Sequence, residues 1–147
     1  MSGNLHVMEE HSTLPFVPQV RRLAPEDLGF VFSTWLKHLK QHSHLTRNIS
    51  NTVFFPHYHK TIEKLLARSI VVVAHQPDEP NTILGYAVLE PPTIHWVYVK
   101  GPWRRFGIAK LMLSGIDLPN CSFTHWTNDI EPLREKYPLA VYNPYLV

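Results

Sequence analysis

Val97-Tyr98-Val99-Lys100-Gly101-Pro102-Trp103-Arg104-Arg105-Phe106-Gly107-Ile108-Ala109 decides how this chain is read. An apolar run ends at Val99, Gly101 and Pro102 make a loop, and Arg104 to Ala109 opens a helix through Lys110-Leu111-Met112-Leu113. Strand, turn and glycine-bearing helix start form a phosphate cradle. The first-turn amides lack intrahelical acceptors and sit at the positive end of the helix dipole. Gly107 lets a ligand approach the backbone, and Ala109 keeps the next contact small. Arg104 and Arg105 add charge and donors suited to phosphate oxygens. The same residues also fit an ordinary strand-to-helix connection with solvated arginines, so the flanking elements must decide.

Upstream, three apolar runs read as strands over 69–74, 82–90 and 93–99. The first two are joined by a hairpin-like turn, Pro77-Asp78-Glu79-Pro80-Asn81, and Pro91-Pro92 ends the second. Both connections are too short for helical crossovers, so the three strands pair antiparallel. Before them, Phe16 to Leu23 reads as an edge strand containing Pro18. Pro25-Glu26-Asp27 starts a helix whose stripe is Leu28, Val31, Phe32, Trp35, Leu36 and Leu39. Glu26 and Asp27 there read as helix caps. A loop over 41–51 leads to a second helix, Pro56 to Ala67, with Tyr58, Ile62, Leu65 and Leu66 inward. Downstream, a helix over 104–115 carries a parallel crossover to a strand over 121–127. A short helix capped by Asp129 and closed by Pro138 precedes a tail of one or two short strands. Residues 1–15 read as a flexible arm and 16–147 as a single domain.

The totals limit the function classes. The chain has 147 residues, 44% of them hydrophobic and 18% charged, enough for one domain with one core. A net charge of +2 and a pI near 8.7 permit an anionic ligand without implying nucleic acid. The single cysteine, Cys121, excludes an intrachain disulfide and a cysteine-rich zinc site. No leader pattern and no run long enough to span a bilayer is read, so the expected location is cytoplasmic, away from membrane. Of the ten histidines, His42 and His44, and His57 and His59, form i,i+2 pairs. Such pairs diverge on a helix, no zinc motif accompanies them, and no metal is expected.

The element order and Arg104-Arg105-Phe106-Gly107-Ile108-Ala109 together resemble the GCN5-related N-acetyltransferase (GNAT) family. That family's acyl-CoA signature is Gln/Arg-x-x-Gly-x-Gly/Ala, and the spacing from Val99 to Arg104 matches it as well. The fold this implies is mixed α/β in three layers. Its central sheet is mostly antiparallel, with one splayed parallel strand pair and an acyl-CoA site. The resemblance implies that Arg104, Arg105, Phe106, Gly107, Ile108 and Ala109 hold the pyrophosphate of acetyl-CoA. Val97, Tyr98 and Val99 would pair with the pantetheine arm like an added strand. An amide near Tyr98 or Val99 would polarise the thioester carbonyl. The reaction implied is direct attack by an amine on the thioester, helped by a base for the amine and an acid for the thiolate.

Side chains for those roles are less marked. His95 is a candidate base, with Tyr98 its competitor and a hydrogen-bonded core histidine the plain alternative. In the family, a tyrosine on the last helix protonates the thiolate; here Leu133-Arg134-Glu135-Lys136-Tyr137-Pro138 has Arg134 at that position. Tyr137, with Tyr142 behind it, is the candidate replacement. His125 and Trp126 flank the expected gap and are candidates for binding the acceptor, and His125 with Asp129 suggests a charge relay. The leading expectation is an acetyl-CoA-dependent N-acetyltransferase for a primary amine of a small molecule or peptide. Its alternatives are an enzyme modifying nucleic acid or aminoacyl-tRNA, and a non-catalytic acyl-CoA-binding or interaction module. Arg21, Arg22, Lys37, Lys40 and Arg47 could serve a nucleic acid but form no dense patch. The apolar tail, with Tyr142, Tyr145, Leu146 and Val147, offers a surface for a homodimer.

Overall fold

The runs between 70 and 99 form the middle of a six-stranded sheet in the computed structural model, which describes residues 14–127 and 130–147. Strands β2 (Ile70–Gln76), β3 (Glu79–Glu90) and β4 (Thr93–Val99) pair antiparallel in chain order; β1 (Gln19–Arg22) adds to the free edge of β2. On the other edge, β5 (Ser122–Phe123) and β6 (Val141–Tyr142) continue the sheet in parallel. The parallel pairs are therefore two, β4–β5 and β5–β6.

The β2–β3 turn is tighter than the five-residue turn expected. Gln76 pairs with Glu79, leaving only Pro77 and Asp78 between the strands. Proline presets its own φ, and Asp78 takes φ +66, a left-handed conformation that aspartate tolerates better than most residues. The first strand is shorter than the expected 16–23. It begins just after Pro18, which has no N–H to give to a ladder.

Helices α1 (Leu28–His42) and α2 (Asn51–Arg68) cover one face of the sheet. Val31, Trp35 and Leu39 of α1 and Phe54, Ile62 and Leu65 of α2 pack on Val71, Val73, Tyr86, Val88 and Trp96. Leu28, expected in that stripe, is exposed. Helix α2 begins five residues before Pro56. The Ser50 carbonyl accepts the Val53 and Phe54 amides, and Pro56 lies inside the helix, where it forgoes the amide bond to the Thr52 carbonyl. The other face is covered by α3 (Ile108–Met112) and the segment after it. Ile108, Met112, Leu113 and Ile116 pack there on Leu84, Ala87, Ile94 and Phe123. Helix α4 (Glu131–Lys136) precedes β6. The result is the three-layer mixed α/β architecture that the element order implied. Asp129 and most of the expected arm lie outside the described residues.

Asp27 ties the first strand to the first helix. Its carboxylate accepts from Arg21 Nη1 and Nη2 at 2.7 and 3.0 Å and from the Ala24 amide at 2.8 Å. Arg21 also donates to the Pro80 carbonyl, which occupies the arginine in the fold. The hydrogen bond from Arg21 holds the Asp27 carboxyl below the usual carboxylate range. Its contribution is complete above the unfolded value of about 3.9 and fades as pH falls through the lower folded value. Asp27→Asn is expected to lower stability by about 2 kcal/mol at neutral pH in urea denaturation. The loss should shrink in acid, where the wild type also forfeits the pair.

Candidate functional site

A bulge in β4 opens the site. Val88 faces Trp96, but the next residue of β3, Leu89, faces Ile94. His95 is therefore the extra residue on β4, and such an insertion bends and twists its strand. Trp96 and Tyr98 stay with the α1–α2 core, while Val97 and Val99 turn to the α3 face.

The partner strand then leaves. The Ser122 amide donates to the Pro92 carbonyl at 3.1 Å and the Thr124 amide to the Ile94 carbonyl at 3.2 Å. The β4–β5 pairing stops at Ile94–Phe123, so the expected strand over 121–127 is two residues long. The Lys100 amide donates to the Leu84 carbonyl at 2.9 Å, and this sets the phase of the antiparallel ladder. Main-chain groups of Trp96, Tyr98 and Lys100 face β3, and those of Val97 and Val99 face the side that β5 has left. A cleft of about 480 Å³ opens there. The Val99 carbonyl is bonded by Arg104 Nε at 2.9 Å.

The outer end of the cleft is the turn from Gly101 to Gly107. A 3₁₀ turn, Gly101–Trp103, leads to Arg105 at φ +70 and Gly107 at φ +80. These left-handed residues interrupt right-handed helical geometry, so the helix expected over 104–115 starts only at Ile108 and has five residues. A Cβ on Gly107 would meet nothing within 4 Å. Gly107→Ala should therefore cost only backbone strain, about 1 kcal/mol, read as a small drop in thermal midpoint.

At the inner end, side chains from four elements meet. His95 is buried, with Nε2 2.8 Å from Glu90 Oε1 and Nδ1 3.1 Å from Thr124 Oγ1. Thr124 Oγ1 lies 2.8 Å from His125 Nδ1, and His125 Nε2 is hydrogen-bonded to the Tyr58 hydroxyl. Arg68 Nε reaches Glu90 Oε1 at 2.9 Å. Burial lowers the His95 imidazole despite the nearby Glu90, and pushes His125 down to about 3. Trp35, Trp96 and Tyr58 surround the His125 ring.

The cleft brings together His95, Val97, Val99, Arg104, Arg105, Gly107, Ile108, Ala109 and His125 from among the residues singled out in the sequence. Tyr98 lies on the other face of β4. It borders a hollow of about 400 Å³ with Ser33, Thr34, Lys37, His38 and Gln41. Phe106 is half-buried outside the cleft lining. Trp126 packs on Phe123 and Tyr142 instead of lining the cleft, and Arg134 lies over its ring at 4.7 Å. Tyr137 ends α4, with the Lys136 ammonium over its ring, and also lies off the cleft lining. The paired histidines separate to different partners. His44 Nδ1 meets Arg47, and His59 stacks on Phe32. Tyr58, Thr124 and Glu90 were not singled out for this site. Tyr58 and His125 are 67 residues apart, and no sequence spacing links them.

No protein-family model matches the chain, and no curated protein matches it. Solved structures do. A predicted acetyltransferase from Clostridium acetobutylicum, determined with acetyl-CoA, aligns at 16% identity and TM-score 0.56, over 82% of this chain and 88% of that one. A GCN5-related N-acetyltransferase from Rhodopseudomonas palustris aligns at 14% identity and TM-score 0.46 over 70% of this chain. YjaB from Escherichia coli, in its apo form, aligns at 15% identity and TM-score 0.48 over 68%. The chain spans 65% and 64% of the lengths of the latter two. The Clostridium likeness shows a shared fold.

Proposed function

We propose that this chain is an acetyl-CoA-dependent N-acetyltransferase that acetylates a primary amine of a small molecule or peptide by direct attack. The observation that carries the reading is the cleft where β5 parts from β4. Main-chain groups of Val97 and Val99 face it, and the turn bearing Arg104, Arg105 and Gly107 ends it. An extended ligand arm fits along Val97–Val99 as a strand would, and anionic groups fit beside the two arginines and the open face of Gly107. These residues suit acetyl-CoA, which supplies an electrophilic thioester carbonyl when bound. The Val97 and Val99 amides are the chain's donors for that oxygen. The hollow beside Tyr98, with Lys37 and His38, supports acceptor entry from the α1 side of β4.

One observation favours a second reading. Arg134 stands where the resemblance implies an acidic tyrosine, and neither it nor Tyr137 lines the cleft. A module that binds acyl-CoA without turnover would need no such acid. Calorimetry with acetyl-CoA, followed by an amine panel of polyamines, amino acids, peptides and aminoacyl-tRNA read by mass spectrometry, separates the readings. Binding with one acetylated amine class is the expected result. Binding without product on any amine would leave the module, and neither binding nor product would defeat both.

A further inference from the structure

We propose that Tyr58, His125, Thr124, His95 and Glu90 form a one-way proton relay, carrying the proton lost by the attacking amine from the inner end of the cleft to the protein surface. The inference rests on the acetyltransferase reading above.

The direction of every link follows from Glu90. Hydrogen bonds from His95 and Arg68 hold its carboxyl below the ordinary value, so it is an ionised acceptor. His95 Nε2, 2.8 Å away, must therefore donate. Burial keeps that ring neutral, so its Nδ1 is an acceptor and Thr124 Oγ1, at 3.1 Å, donates to it. The threonine oxygen then accepts from His125 Nδ1 at 2.8 Å. His125 Nε2 is left as an acceptor, and the Tyr58 hydroxyl donates to it. Two other acceptors lie within reach of that hydroxyl, the His95 carbonyl at 3.4 Å and His125 Nδ1 at 2.8 Å. Choosing either would leave the buried His95 Nδ1 without a donor.

The middle of the chain is buried, and its Glu90 end is open to solvent. His95, Thr124 and His125 are 1%, 3% and 8% exposed, whereas the Glu90 side chain is 40% exposed. His95 and His125 also line the cleft, and the half-buried Tyr58, off that lining, reaches it through its hydrogen bond to His125. Burial pushes the phenol of Tyr58 up and the imidazole of His125 down, so neither holds charge and each passes a proton on. As the C–N bond forms and the C–S bond breaks, the amine proton moves to the Tyr58 oxygen. The Tyr58 proton moves to His125 Nε2, the His125 Nδ1 proton to Thr124, the threonine proton to His95 Nδ1, and the His95 Nε2 proton to Glu90. The thiolate leaves with the electron pair and takes its proton from solvent. Glu90 sheds its proton to water, and the hydroxyls and rings reset through neutral species.

The test begins without ligand. Long-range proton–nitrogen spectra of the histidine-labelled full chain should show His95 protonated on Nε2 and His125 on Nδ1. The opposite tautomer at either ring overturns the relay. Turnover is then compared with the amine found in the panel. Thr124→Val should lose at least about tenfold in kcat with KM for both substrates unchanged, and Thr124→Ser should restore it. Glu90→Gln, altered at the exposed end, should lose kcat in the same way and serves if the valine variant fails to fold. Wild-type turnover in folded Thr124→Val or in Glu90→Gln overturns the relay. No turnover by the wild type on any amine overturns the acetyltransferase reading and the relay's role with it. The tautomers tell that failure apart from a failed relay.

Discussion

Replacing Gly85 by alanine is expected to lower stability by about 3 kcal/mol and the thermal midpoint by roughly 10 °C. Gly85 of β3 faces Val99 of β4 in a pair that exchanges no hydrogen bonds, where antiparallel strands come closest. A Cβ there would sit 2.4 Å from the Tyr98 carbonyl oxygen and 3.1 Å from the Val99 Cα. Both atoms are backbone, so no side-chain rotation relieves the contact. Relief requires β4 to move outward at Tyr98–Val99, which is the wall of the cleft. Acetyl-CoA affinity should therefore fall together with stability. The double variant Gly85→Ala/Val99→Ala separates this cause from simple crowding. It removes the valine methyls but leaves the Tyr98 oxygen in place, and should remain as unstable as the single variant. Recovery in the double variant would show that the side chain, not the main chain, was the obstacle. Urea denaturation of the three proteins, with unchanged slopes, is the measurement.

The parts of the fold legible in the sequence are those fixed by local pattern. Ile70-Val71-Val72-Val73 and the alternating run to Val99 announce strands because β-branched residues suit a pleated, half-buried surface. The spacing from Val99 through Gly107 announces the turn, and Gly107 is indeed left-handed there. What escaped depended on partners. Thr124-His125-Trp126-Thr127 has strand-forming residues throughout. They lose their ladder because the His95 bulge bends β4 away, and nothing in their own composition reports that. Arg104 and Arg105 are ordinary helix formers, yet the turn into the cleft holds Arg105 at positive φ and delays the helix. Pro56 pointed to a helix start, and the helix instead begins about a turn and a half earlier, at Asn51.

The candidate site divides along the same line. Arg104, Arg105, Gly107, Ile108 and Ala109 come together at the cleft because they belong to one short turn, and a short turn is legible in local sequence. His95 stood out as a lone imidazole in an apolar strand, and it lies in the cleft wall. Its partners Glu90 and Thr124 come from β3 and the segment after β5, Tyr58 of α2 joins through His125, and no periodicity relates the three to one another. The bulge joins the two halves. The same extra residue that helps part the strands also places a histidine between Glu90 and Thr124.

The second large effect is expected at Trp35. Its ring is fully buried, stacks on Trp96 at 5.2 Å between centroids and 10° between planes, and meets the His125 ring edge-on at 5.7 Å. It joins α1 to β4 and to the inner end of the cleft. Trp35→Ala removes the largest side chain of that layer and leaves a cavity that neighbouring rings cannot fill, at a cost of about 4 kcal/mol. Trp35→Phe behaves differently. Trp35 Nε1 has no hydrogen-bond partner among the described residues, so phenylalanine deletes an unsatisfied buried donor together with some volume. Recovery of part of a desolvation penalty of about 1–3 kcal/mol offsets the lost contacts, and the net loss should be about 1 kcal/mol. Equilibrium urea denaturation checks both values. In Trp35→Ala, the His125 Nδ1 proton should also exchange faster with solvent, because its ring has lost one wall of its cage. Equal losses in the two variants would mean that the indole donor is satisfied in solution and that volume alone sets the cost. Unchanged exchange at His125 in Trp35→Ala would mean that Trp96 and Tyr58 hold the ring without it.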